Sequence, residues 1–186
     1  FGYDGKGQAL VENLETAVNA YAQLGGCPAT IEEFIDLDCE LSVIGARSVD
    51  GEISCFGPIL NQHERHILDV STAPAETIDS NVTADAINIT EALLEQLDVC
   101  GVICVEFFLD RRGRLLINEI APRTHNSGHL TIEACVTSQF EQQLRAICGL
   151  PLGSMEQIRP AAMANILGDH FADGDADWRR VMKYRN

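Results

Sequence analysis

Val102-Ile-Cys-Val-Glu106-Phe-Phe-Leu109, then Asp110-Arg-Arg-Gly113, then Arg114-Leu-Leu-Ile-Asn118-Glu119 is the stretch that decides the fold. An apolar run, a polar turn containing glycine and a second run of similar length predict a β-hairpin. The returning strand empties into Ile120-Ala-Pro-Arg123-Thr-His125-Asn126-Ser-Gly128-His129. A polar loop at the end of a buried strand delivers functional groups from a rigid scaffold. Within the hairpin, Glu106 is the anomaly, because a carboxylate in an apolar strand is costly unless it is paired or binds a cation. With residues 110–113 as the turn, Leu109 faces Arg114 and Glu106 faces Ile117. Glu119 is then a diagonal neighbour on the same face as Glu106, with Cα atoms roughly 7–8 Å apart. Two such carboxylates suit a hard divalent cation, and Mg²⁺ favours one or two carboxylates plus phosphate oxygens. An Arg or backbone partner for Glu106 is the alternative.

Working outward, Leu10, Leu14, Val18, Tyr21 and Leu24 recur at helical spacing before Gly25-Gly26, which predicts an amphipathic helix with a glycine stop. Thr30 to Ile35 reads as a short strand. Glu40 to Ser48 alternates polar and apolar residues, and Asp50-Gly51 turns the chain into Ile53-Ser-Cys-Phe56. Ile67 to Val70 and Ala161 to Leu167 are further strands. Ala84 to Leu97 is a helix with Ile87, Leu94 and Leu97 on one face. Ser138 and Glu141 form a capping box, opening a helix with Phe140, Leu144 and Ile147 on one face. Hairpins and helices in this order predict an α+β fold, mostly antiparallel sheet with flanking helices.

The chain has 186 residues, 46% of them hydrophobic, and a formal net charge of −15. That charge argues against a nucleic-acid partner. No apolar run is long enough to span a membrane. The seven cysteines lack a CxxC pair and sit mostly beside apolar residues, so buried, reduced thiols in a cytoplasmic protein are expected. At the N-terminus, Gly2-Tyr3-Asp4-Gly5-Lys6-Gly7-Gln8 offers flexible backbone amides and one cation to a phosphate. Residues 32–35 (Glu32, Glu33, Phe34 and Ile35) can offer backbone groups to an adenine edge, and Glu40 can accept from ribose hydroxyls. The chain opens directly in a glycine-rich loop and ends without a cap, so an internal piece of a longer protein is expected.

In this order, the loop 2–8, residues 32–35, Glu40-Leu-Ser-Val-Ile-Gly-Ala-Arg47, Glu106 and Asn118 to His129 resemble the ATP-grasp enzymes, and among them the N5-carboxyaminoimidazole ribonucleotide synthetase family. The resemblance covers nearly the whole chain and is most specific from Asn118 to His129. It implies an ATP- and bicarbonate-dependent ligase of purine biosynthesis acting on 5-aminoimidazole ribonucleotide, with Mg²⁺ or Mn²⁺, and a homodimer. Residues 1–31 would close the small ATP-covering subdomain and residues 32–186 would form the large one. Tyr3, Asp4 and Lys6 match the loop over the phosphates, residues 32–35 the adenine hinge, Glu40 the ribose contact and His63 a further nucleotide contact. Glu106 and Glu119 match the metal carboxylates, with Asn118 beside Glu119 in the ATP site. Arg123, His125, Asn126 and His129 match the region for bicarbonate-derived species and the ribonucleotide, with Arg123 and His125 nearest the chemistry. Many ATP-grasp relatives carry Asn two residues after the second metal glutamate, where this chain has Ala121. Another ATP-grasp ligase, of the formate-dependent glycinamide ribonucleotide transformylase or biotin carboxylase type, or a non-catalytic nucleotide-binding module, fits the same motifs less closely.

Overall fold

The computed structural model describes residues 7–168 and 177–183. Its centre is a seven-stranded sheet in which every pairing is antiparallel. Strands β1 (Leu37–Arg47), β2 (Ile53–Cys55), β3 (Ile59–Glu64), β4 (Ile67–Ala73), β5 (Gly101–Asp110), β6 (Leu115–Ala121) and β7 (Ala161–Ala164) lie in the order β6-β5-β1-β3-β4-β7, with β2 also paired to β1. The helices are α1 (Leu14–Gln23), α2 (Ser80–Gln96), α3 (Thr131–Ala134), α4 (Gln139–Ile147) and α5 (Trp178–Val181), and a 3-10 turn covers Asn126–Leu130.

The predicted alternation in β1 is replaced by continuous burial from Leu41 to Ala46. β1 lies inside the sheet with both faces covered, and a strand in that position has no solvent face to mark with polar residues. Leu41 and Val43 join Ile103, Val105 and Phe107 beneath Ala86 and Leu94 of α2. Ile44 and Ala46 join Val102, Cys104, Leu130 and Ala134 on the other face. α2 comes so close that a Cβ on Gly45 would lie 2.7 Å from Leu94 Cδ1 and 2.9 Å from Cys55 Sγ.

Three further sequence expectations are corrected. Thr30 to Ile35 forms no strand. β1 begins pairing at Leu37 opposite Asp110, and Arg111 N–H donates to the Asp36 carbonyl at 3.0 Å. The preceding residues run past the end of that hairpin, where no strand edge is left to pair with them. α4 is capped by Ser138 as expected, its hydroxyl accepting from Glu141 N–H, but its buried residues are Gln139, Gln142 and Ala146. Leu144 is 59% and Ile147 49% exposed, so the apolar stripe faces outward. The cysteines are all free, but only Cys104 is buried, and Cys27, Cys100 and Cys148 are exposed. Strand β3 had no counterpart in the sequence reading.

Candidate active site

The hairpin turn closes one residue later than the sequence suggested. Leu109 pairs with Leu115, and Asp110 N–H donates to the Arg114 carbonyl. That slip alone would turn Glu119 to the opposite face from Glu106, since side chains alternate along a strand. A β-bulge cancels it. Phe107 pairs with Ile117 while Glu106 pairs directly with Glu119, so Asn118 is the extra residue and both carboxylates return to one face. Directly opposed residues approach more closely than the diagonal placement expected from sequence. Glu119 is exposed on the edge strand β6 and Glu106 is largely covered.

The same face continues across the sheet. Ser42 lies opposite Glu106, and Glu40, two residues earlier, lies opposite Asn61, which in turn lies opposite Ser71. Glu40 and His63 form an ion pair, each side chain 23% exposed. The hydrogen bond to Glu40 raises the His63 pKa above its ordinary value, against burial and with help from the charges of Glu40 and Glu106. One half of this sheet face is therefore apolar, around Ile44 and Cys104. The other half is polar, from Ser71 to Glu119.

His125 reaches this polar half from the loop after β6. Its Nε2 lies 2.9 Å from Glu106 Oε1. Burial, the largest single influence, pushes the Glu106 carboxyl up, and the hydrogen bond from His125 pulls it down. With the positive charges of His63 and Arg123 adding to that bond, Glu106 stays below its ordinary pKa. The backbone of His125 is clamped by one side chain: Gln139 Oε1 accepts from His125 N–H at 2.9 Å and Gln139 Nε2 donates to the His125 carbonyl at 2.7 Å. Sequence reasoning missed Gln139, Ser42 and Ser127. Ser127 lay inside the quoted loop, but nothing in the sequence brings residues 42 or 139 to His125.

Glu106, Glu119 and His125 are thus brought together, and Glu40 joins His63. Asn118 is exposed beside Glu119. Arg123 is exposed, its Nη1 donating to the Thr124 carbonyl. Asn126 begins the 3-10 turn. His129 lies against Phe140, ring centroids 5.5 Å apart. Burial, and then the neighbouring His125, lowers the His129 pKa. Glu32, Glu33 and Phe34 are exposed and Ile35 is half-buried, with no backbone–backbone hydrogen bond from the segment to another described residue. Gly7 and Gln8 are exposed. Gly2, Tyr3, Asp4, Gly5 and Lys6 lie outside the described residues. Among the described residues, no group of three or more His, Cys, Asp or Glu side chains is placed to hold a metal ion. A closed zinc-type site is therefore not formed by them. The Glu106–Glu119 pair fits a hard cation that takes the rest of its oxygens from phosphate and water.

The ATP-grasp domain matches residues 1–140. This chain is an ATP-grasp protein. Its ATP-grasp sequence is 44% identical over 168 residues to the N5-carboxyaminoimidazole ribonucleotide synthase of Bacillus subtilis, covering 90% of this chain and 44% of that protein. Among solved structures, the ADP complex of an N5-carboxyaminoimidazole ribonucleotide synthetase superposes with a TM-score of 0.88 at 39% identity, covering 98% of this chain and 48% of that one. The Aspergillus clavatus synthase with ADP and 5-aminoimidazole ribonucleotide superposes with a TM-score of 0.73 at 32% identity, covering 81% and 42%. The chain spans about half the length of the curated relatives it matches. No helix among the described residues is long and apolar enough to cross a membrane.

Proposed function

We propose that this chain is the ATP-grasp part of an N5-carboxyaminoimidazole ribonucleotide synthase, an ATP-dependent ligase that carboxylates 5-aminoimidazole ribonucleotide with bicarbonate in purine biosynthesis. The observation that carries this reading is the direct Glu106–Glu119 pair, continuous with the loop of Arg123, His125, Asn126 and His129. The relatives crystallised with ADP and with the ribonucleotide support the substrate class. In this reading Glu106 and Glu119 hold Mg²⁺ (or Mn²⁺), which supplies neutralising charge to the phosphates when bound. Glu40 and His63 face the nucleoside, residues 32–35 the adenine edge, and Asn118 shares the ATP site. Gly2 to Gln8 close over the phosphates, with Tyr3, Asp4 and Lys6 nearest the reacting atoms. The division at residue 31 is supported by α1, which has no buried residue, whereas the strands from Leu37 to Ala164 share one sheet. The protein works in the cytoplasm as a homodimer.

A bicarbonate oxygen attacks the γ-phosphorus of ATP, ADP leaves, and carboxyphosphate forms. The amine of the ribonucleotide captures the carboxyl carbon of that species, or CO₂ released from it; inorganic phosphate leaves as the C–O bond to it breaks, and the amine gives up a proton as the C–N bond forms. Catalysis of such a transfer is mostly positioning and charge stabilisation. The Arg123 guanidinium is a planar fork suited to a carboxylate-like species, His125 orients Glu106 beside it, and Asn126 and His129 offer hydrogen bonds to the acceptor. In the enzyme that carries this chain, ADP release should depend on bicarbonate and be coupled to 5-aminoimidazole ribonucleotide and not to other amine acceptors. Glu119→Gln should slow that release by ~100-fold or more and leave the circular dichroism unchanged; wild-type turnover in this variant refutes the metal role. Asn126→Ala should raise the ribonucleotide KM with ATP affinity nearly unchanged, and equal weakening of both would make the loop only a support for the carboxylates.

A further inference from the structure

A file of buried hydrogen bonds crosses the sheet and ends on the imidazole of His125, with one longer side contact, Cys104 Sγ at 4.0 Å from Ser127 Oγ. Ser71 Oγ donates to Asn61 Oδ1 at 2.8 Å. Asn61 Nδ2 donates to Ser42 Oγ at 3.0 Å, and Ser42 Oγ donates to Ser127 Oγ at 2.7 Å. Ser127 Oγ lies 2.9 Å from His125 Nδ1. The three serines are wholly buried and Asn61 is 5% exposed, so water cannot substitute for a lost partner without entering the core. Four strands and the loop after β6 are tied together by this file: β4, β3 and β1 supply Ser71, Asn61 and Ser42, and β5 supplies Glu106 at its end.

Its direction is set by groups that cannot change role. A carboxamide NH₂ only donates, so Asn61 fills an acceptor position of Ser42 and sends the Ser42 proton on to Ser127. Ser127 then has its own proton left, and Nδ1 at 2.9 Å is a much nearer acceptor than Cys104 Sγ at 4.0 Å. Independently, the Ser127 backbone N–H points at the same Nδ1, at 3.4 Å, and a backbone N–H can never accept. On the other side of the ring Glu106 Oε1, 2.9 Å from Nε2, is acceptor-only when ionised. Nδ1 must therefore accept and Nε2 must carry the proton. A ring nitrogen's state is fixed in this way by the bond its partner makes.

We propose that Ser127, Ser42 and Asn61 are positioning residues that hold His125 as the Nε2–H tautomer, so that a fixed donor occupies Glu106 Oε1 and the carboxylate presents its other oxygen to the cation in one orientation. Only the cation in this statement rests on the function proposed above; the tautomer does not. Without the file only the longer Ser127 N–H contact at 3.4 Å opposes a ring flip or a proton on Nδ1, either of which would leave Glu106 without a donor.

The test is long-range ¹⁵N–¹H correlation of the imidazoles in ¹⁵N-histidine-labelled enzyme carrying this chain, with the His125 signal assigned by its loss in His125→Asn. The expected wild-type pattern is the Nε2–H tautomer alone. Ser127→Ala should give a mixture of tautomers and lower kcat by ~10-fold, the range for residues behind a ligand, with little change in the KM for ATP. Ser42→Ala, which frees the Ser127 hydroxyl to turn, should give a smaller loss of the same kind. Should Ser127→Ala not fold, Ser42→Ala carries the test alone. A wild-type Nδ1–H tautomer overturns the proposal, as does an unmixed Nε2–H signal with full turnover in both variants. Absence of bicarbonate-dependent turnover would overturn the proposed function and leave the tautomer result standing.

Discussion

A methyl group on Gly128 would sit 2.0 Å from Ile44 Cδ1 and 2.9 Å from the Gln139 carboxamide. Ile44 is wholly buried on β1 and Gln139 is engaged with the His125 backbone, so neither can step aside without loss. Gly128 is thus where the loop after β6 is pressed onto the sheet, bringing Ser127 to Ser42 and His125 to Glu106. Gly128→Ala should lower stability by about 1–3 kcal/mol through overpacking and should loosen His125 from Glu106. Thermal unfolding of the two forms checks the first effect. The second would appear as loss of turnover below the unfolding range, and an unchanged melting temperature would mean that the loop is less tightly seated than this contact requires.

At the scale of elements, the β3–β4 hairpin shows why a strand escaped the sequence reading. Glu64 pairs with Ile67, leaving a two-residue turn of Arg65 and His66 with φ of 51° and 66°. Two-residue hairpin turns with both φ values positive favour Asn-Gly, and this chain has neither residue there. The turn signal is absent because tertiary pairing of β3 with β1 and of β4 with β7 holds two unsuited residues in place. Replacing Arg65-His66 with Asn-Gly should therefore stabilise the fold by about 1 kcal/mol or more, read as a higher denaturant midpoint with an unchanged slope. No gain would show that the strain is relieved elsewhere. α4 makes the converse point. Its period was legible, but the inward face was not, because Gln139 and Gln142 act as backbone surrogates. Gln142 exchanges two hydrogen bonds with Gly153, 2.8 and 2.9 Å long. Buried carboxamides with every group satisfied displace Leu144 and Ile147 to the outside.

For the whole molecule, charge state and stability are linked through two sites with opposite signs. At Asp110 the backbone hydrogen bond from Arg114 leads the stabilisation of the carboxylate, with the Arg114 side chain and Arg112 N–H adding to it against burial, so its pKa lies below the ordinary value. Its contribution is full above the unfolded value and is lost as pH falls through the lower folded one. His63 is the reverse case, because its folded pKa is raised by Glu40. Its contribution is full below the unfolded value of ~6.5 and is lost as pH rises through the higher folded one. Stability should therefore decline on the acid side through Asp110 and, as pH rises above ~6.5, through His63. Denaturant midpoints against pH should lose part of the acid slope in Asp110→Asn and part of the alkaline slope in His63→Gln. A His63→Gln profile parallel to wild type above pH ~6.5 would count against the Glu40–His63 pair.

The sequence by itself determined the hairpin of residues 102–119, its two glutamates, the polar loop that follows, the antiparallel class and the ATP-grasp resemblance. These are local facts: runs of apolar residues, turn glycines and motifs contiguous enough to carry their own meaning. Tertiary structure alone decided the register. A turn slip and a bulge at Asn118, each of which would separately have put Glu119 on the wrong face, together set it directly opposite Glu106. Only packing could choose that pair of shifts, because side chains on a two-residue period are indifferent to register until one face is buried. The partners of His125 were likewise out of reach of the sequence, since Ser42 lies 85 positions from Ser127 and meets it only where β1, β5 and the loop after β6 are stacked together.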